Sequence, residues 1–180
     1  FLSLGTATLL FLTAQKTLPP NRFARGWSVV LFATAPTVGL WTTSGMETPL
    51  AAFWVACLLF IHAQKADKFW GTACGLTLAL AELTRPEGKA LFLLVAALHL
   101  FPFNRATFRE NVFLKYTVLV FFLIAVPYHL WRLMYFGHFV PNTYYVKGVH
   151  SFFAYERGYE MLLEFFAYNY HYLAIIFAAG

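Results

Sequence analysis

The side chains able to do chemistry fall into three short polar segments set between long apolar ones. The first is Thr42-Thr43-Ser44-Gly45-Met46-Glu47-Thr48-Pro49. Gly45 permits a tight backbone path, and Pro49 suits the first turn of a helix. That places Glu47 just ahead of a helix start, where the dipole favours negative charge. Such a carboxylate can accept a proton from a hydroxyl nucleophile; the alternative is that Ser44, Glu47 and Thr48 only cap the helix. The second segment, Leu83-Thr84-Arg85-Pro86-Glu87-Gly88-Lys89, holds four ionisable groups within eight residues once Glu82 is counted. Charged groups between apolar helices face protein or a watery cavity and mark a substrate path; the alternative is an Arg85–Glu87 pair decorating a turn. The third runs from Trp131 to Gly148 and contains Arg132, Asn142, Tyr144 and Lys147. A planar Arg fork and a mobile Lys charge suit a phosphate, with Asn and Tyr nearby for a hydroxylated group. Arg132 and Lys147 would otherwise anchor lipid headgroups.

The surrounding elements are very apolar. Of the 180 residues, 60% are hydrophobic, 20% aromatic and 12% charged, and mean hydropathy is +0.61. A soluble domain carries about 25% charged residues, so an ordinary soluble fold and disorder are both excluded. Cys57 and Cys74 sit inside apolar runs, which argues against a disulfide framework. The formal charge of +5 is spread singly over the chain, without the basic stripe of a nucleic-acid-binding protein.

The composition and the unbroken apolar runs predict an all-α, polytopic transmembrane helix bundle of six to seven helices. The predicted spans are 1–15, 26–42, 49–64, 69–83, 88–103, 112–136 and a last one from about 168. The outer loops fall at about 42–48, 84–89 and 137–167. Lys16, Arg22, Arg25, Lys65, Lys68, Arg105, Arg109 and Lys115 share one set of alternate loops. Arg85, Lys89, Arg132, Lys147 and Arg157 share the other. The eight-to-five bias assigns the first set to the cytoplasm and the three polar segments to the outside. Nine of the ten Tyr lie between Tyr128 and Tyr172. Residues 154–167 have helical apolar spacing, either as an interfacial helix or as one packed on the protein. His62, His99 and His129 lie in apolar helices and read as packing residues. No His/Asp/Glu group has metal-ligand spacing, and the sequence implies no cofactor.

Taken in order, Ser44-Gly45-Met46-Glu47-Thr48-Pro49, then Thr84-Arg85-Pro86-Glu87-Gly88, then Tyr135-Phe136-Gly137 with Pro141-Asn142-Thr143 and Lys147, resemble membrane glycosyltransferases of the GT-C class. The likeness covers about residues 26–148 and is nearest to the branch of the mycobacterial terminal arabinofuranosyltransferase and its bacterial relatives. It implies a multi-pass protein of the cytoplasmic membrane that takes a sugar from a polyprenyl phosphate. The acceptor is then a glycan, lipid or protein on the extracytoplasmic face. It also implies a catalytic Asp on a first outer loop. The only Asp here, Asp67, falls in a predicted cytoplasmic turn. The chain therefore reads as an internal piece whose main base lies upstream, with Glu47 and Glu87 as the remaining acids. The residues implied for donor binding are Arg85, Arg132, Asn142, Tyr144 and Lys147. A transporter or flippase of lipid-linked sugars, or a non-catalytic assembly subunit, would carry similar cations and aromatics.

Overall fold

A computed structural model describes residues 1–18, 22–43, 47–100, 111–138, 155–164 and 167, with residues 22–24 and 36–37 described by their backbone alone. The described residues are all-α, without strands. The helices are α1 (Leu2–Thr17), α2 (Arg22–Thr34), α3 (Pro36–Thr43), α4 (Thr48–His62), α5 (Lys68–Thr84), α6 (Gly88–Leu100) and α7 (Val112–Phe136). Residues 155–164 are also helical, and all of them are exposed. The chain divides into two units, Phe1–His129 and Leu130–Gly180. In length and composition, α7 is the one helix among the described residues long and apolar enough to cross a membrane.

Local chemistry sets the helix ends. Asp67 caps α5 by accepting from the Trp70 amide at 3.0 Å, and Asn111 caps α7 through the Leu114 amide at 2.9 Å. Arg85 precedes a proline, which disfavours helical backbone at that residue. It is extended, with φ −143° and ψ 134°, and α5 stops there. Gly137, at φ +71°, closes α7 in a conformation that favours glycine.

One predicted element is corrected. The span 26–42 is not one helix but two, α2 and α3, broken at Ala35. Pro36 lacks the amide needed to continue α2, and it opens α3 as a first-turn proline. The end of the predicted span 88–103, the helix from about 168, and residues Asn142, Tyr144 and Lys147 lie outside the described residues.

Within the first unit, α1 packs on α2 and α4, α4 on α5, and α5 on α6. The core joins Leu58 and Ile61 of α4, Cys74, Leu78 and Ala79 of α5, Val95 of α6, and Phe113, Phe121 and Ala125 of α7. Phe92 stacks on Phe121 with centroids 4.1 Å apart. Helices α5 and α7 meet backbone to backbone. A Cβ on Gly71 would lie 2.4 Å from the Phe113 carbonyl oxygen, and one on Gly75 would lie 2.5 Å from that of Thr117. The two backbones touch because these positions have no side chain. The fully buried Thr117 hydroxyl sits in this seam, 3.1 Å from the Gly71 carbonyl oxygen and 2.9 Å from that of Phe113.

Gly75→Val should therefore force α5 and α7 apart and destabilise the fold by about 1–3 kcal/mol, the usual range for overpacking. Gly26→Ala, where nothing lies within 4 Å of the new methyl, should stabilise by roughly 0.5–1 kcal/mol through helix propensity. Thermal unfolding of the two purified variants checks the contrast.

Candidate functional site

The antiparallel order of α4, α5 and α6 brings the start of α4, the end of α5 and the start of α6 to one end of the bundle. A groove of about 600 Å³ opens there, lined by Thr48, Ala51, Ala52 and Val55 of α4, Ala81 of α5, Arg85 and Glu87 of the turn, and Gly88, Ala90, Leu91 and Leu94 of α6. It exists because α5 contributes only Ala81 to its floor, while alanines stand on both flanks. From Thr48 to Val55 it runs about 10 Å along α4, at 1.5 Å per residue. The polar groups are at one end: Arg85 Nε lies 3.4 Å from Glu87 Oε2. Both partners are substantially exposed, so the pair is weak and water-screened. Trp54 donates to the Thr84 hydroxyl at 3.1 Å and fixes α4 against the last turn of α5.

A second polar feature lies beside the groove. Glu82 is buried, one position from Ala81, and its Oε1 takes two partners. His129 Nε2 of α7 is 2.6 Å away, and Lys89 Nζ of α6 is 3.5 Å away. Gly88 makes this possible. A Cβ there would lie 2.4 Å from the Glu82 amide nitrogen, so α6 begins directly against the last turn of α5 and presents Lys89 to Glu82. Three helices thus meet at one carboxylate.

Of the sequence-predicted site residues, Arg85 and Glu87 line the groove together. Glu47 immediately precedes the groove residue Thr48; it is exposed and makes no side-chain cap of α4. Arg132 is half-buried in the last turns of α7, in the second unit. Asn142, Tyr144 and Lys147 lie outside the described residues. Sequence reasoning missed Glu82, Lys89 and His129 as a group. The available signal was an acid and a histidine inside apolar helices, where a charged group is costly unless it is paired.

At the opposite end, the His62 and His99 rings are 5.4 Å apart. His99 also stacks on Phe113 and lies 3.4 Å from the Asn111 amide. Among the described residues no three His, Cys, Asp or Glu gather as a metal-binding group. Lys16, which bonds Gln64, and Lys65 and Lys68 share this end. No family model, no curated protein and no solved structure matches the chain.

The two acid–cation arrangements should respond differently to mutation. Arg85→Gln should change stability by less than about 1 kcal/mol, as for other exposed pairs. His129→Ala removes the closest donor to a buried carboxylate and should cost about 1.5–3 kcal/mol. Denaturant unfolding monitored by tryptophan fluorescence measures both.

Proposed function

We propose that the chain is the donor-binding part of a multi-pass membrane glycosyltransferase that takes sugar from a polyprenyl phosphate. The observation that carries this reading is the groove. It has a cation at its mouth and an apolar length open to the side, the shape and polarity of a phosphate on a prenyl chain. The bundle's packing supports the bilayer setting. Thr117, Thr77, Gly71 and Gly75 face inward, while Leu93, Leu98, Leu119, Phe122 and Leu123 are exposed. Large apolar side chains left outside, and a glycine and threonine seam beside the buried Leu78, Leu114 and Phe121, suit helices exposed to lipid. Thr77 and Thr84 return their hydroxyls to backbone carbonyls four residues earlier, at 2.8 Å each, which satisfies them without water. The basic residues Lys16, Lys65 and Lys68 then mark the cytoplasmic end, and the groove faces outward.

In the transfer, the bond between the anomeric carbon and the phosphate oxygen breaks, and the acceptor oxygen bonds to that carbon. The bonding pair leaves on the phosphate, and the acceptor's proton goes to a carboxylate. Arg85 stabilises the departing anion electrostatically. Its pairing with Glu87 is weak enough to be exchanged for the phosphate, and this exchange frees Glu87 as a proton acceptor. Glu47, at the same end, is the other carboxylate candidate in this reading.

Two measurements test the proposal. In a background lacking Cys57 and Cys74, Thr43→Cys should react with an impermeant thiol reagent from outside and Ala66→Cys should not; the reverse pattern would overturn the orientation. Transfer of radiolabelled sugar from a polyprenyl-phosphate donor by the full-length protein should fall roughly ten- to a hundredfold in Arg85→Lys, since Lys lacks the bidentate fork. Lys65→Ala, at the other end, should leave transfer unchanged. Donor binding without any transfer would favour a transporter instead.

A further inference from the structure

We propose that the helix over residues 155–164 is an interfacial one, whose apolar face lies among the lipid headgroups and upper acyl chains of a bilayer. The inference rests on the bilayer setting proposed above and uses none of the transfer chemistry. At about 100° per residue, Glu156, Arg157, Glu160 and Glu164 fall within one arc of roughly 100°. Tyr155, Tyr159, Met161, Leu162 and Leu163 share the rest of the circumference, with Leu162 at its centre. Charged and apolar positions do not mix, which is the pattern of a helix lying along a boundary between water and an apolar phase.

Such a helix is poorly stable by itself in water. Its ten described residues fall short of the roughly 12–15 that an isolated helix needs. Gly158 sits inside it, and Glu156, Glu160 and Glu164 form a row of like charges at i, i+4 spacing; both features disfavour an unsupported helix. Its apolar face therefore calls for a cover, and protein does not supply one. All ten residues are exposed, with Tyr159, Met161, Leu162 and Leu163 each at least 50% exposed. A Cβ on Gly158, which stands on the apolar side, would meet nothing within 4 Å. A bilayer is within reach. The apolar helix α7 ends at Phe136, 19 positions before Tyr155, and that length of chain spans at most about 65 Å fully extended. The polar face carries three Glu and one Arg, so apolar burial holds the helix, without attraction to anionic lipid.

Nitroxide labels on the full chain in phosphatidylcholine nanodiscs, with Cys57 and Cys74 replaced by alanine, test this. Molecular oxygen concentrates in lipid and a nickel chelate stays in water, so the ratio of their collision rates with a label reports its surroundings. A label at Leu162→Cys should give an oxygen-to-nickel ratio severalfold above that at Glu160→Cys. Leu163→Cys and Glu164→Cys form a second pair with the same expectation, should either variant of the first not fold. High nickel access at the apolar and the acidic positions alike, meaning a helix surrounded by water, overturns the proposal. Low access of both reagents at Leu162 and Leu163, meaning a face packed on protein, overturns it equally. Leu123→Cys on α7, exposed in the structure, keeps the two levels apart. A label there that reports water overturns the bilayer setting itself, whereas lipid at Leu123 with water at Leu162 overturns the interfacial helix alone.

Discussion

The backbone contact of α5 with α7 is the constraint on which the rest of the first unit depends. Gly71 meets Phe113, Gly75 meets Thr117 and Phe121, and Glu82 meets His129. Successive positions on one helix meet successive positions on the other, so the two run parallel, with α6 returning between them in sequence. Gly71 and Gly75 are four apart, one above the other on a single helical face. With no Cβ at either, dispersion contacts and the Thr117 hydroxyl operate at backbone distance, the mode of association that lipid-embedded helices favour. The same register carries Glu82 to His129 at the end of the seam. A helix pair set further apart by one side-chain layer would leave that carboxylate buried without its closest partner.

A second glycine governs the electrostatics. Because Gly88 lets α6 start on the backbone of Glu82, the charges at and beside the turn 85–89 fall into two groups of opposite character. Glu82 with Lys89 and His129 is drawn inward and joins three helices; Arg85 with Glu87 lies at the surface. Breaking the inner group strands a charge in a medium of low polarity, so it behaves as structure. The outer pair contributes little to stability and is open to exchange with a ligand. Pro86 enforces the division by extending Arg85 away from the helix that ends there.

The helix positions were legible in the sequence to the extent that single residues decide them. The span 112–136 matches α7, bounded by the Asn111 cap and Gly137, and 49–64 and 69–83 lie within two residues of α4 and α5 at either end. The break at Ala35 was missed because the apolar run continues through Pro36, and hydropathy does not register a missing amide. The Arg85–Glu87 pair could be anticipated, being two residues apart on one turn. The Glu82–His129 contact could not, because its partners are 47 positions apart and depend on the α5–α7 register. Gly71-x-x-x-Gly75 was the local sign of that register. Without it, His129 reads as one more ring in an apolar helix.

The small side chains on three neighbouring helices account for why the groove is where it is. In water, a bundle buries its largest apolar residues, and a channel floored by alanine would collapse or fill. Here Leu78, Leu114 and Phe121 are buried, yet Leu93, Leu98 and Leu123 stand outside, more than 60% exposed. In the proposed bilayer the outward residues already have an apolar solvent, so there is little hydrophobic gain in turning them inward. Where alanines from α4, α5 and α6 coincide around Ala81, the helices leave a cleft. Val55 and Leu94 stand in that cleft partly exposed. In the proposed reading, a prenyl chain laid against them exchanges one apolar neighbour for another, and so contributes fit and orientation rather than strong affinity. Discrimination for such a ligand comes, in the same reading, from the charged mouth, where Arg85 is the cation that lines the groove.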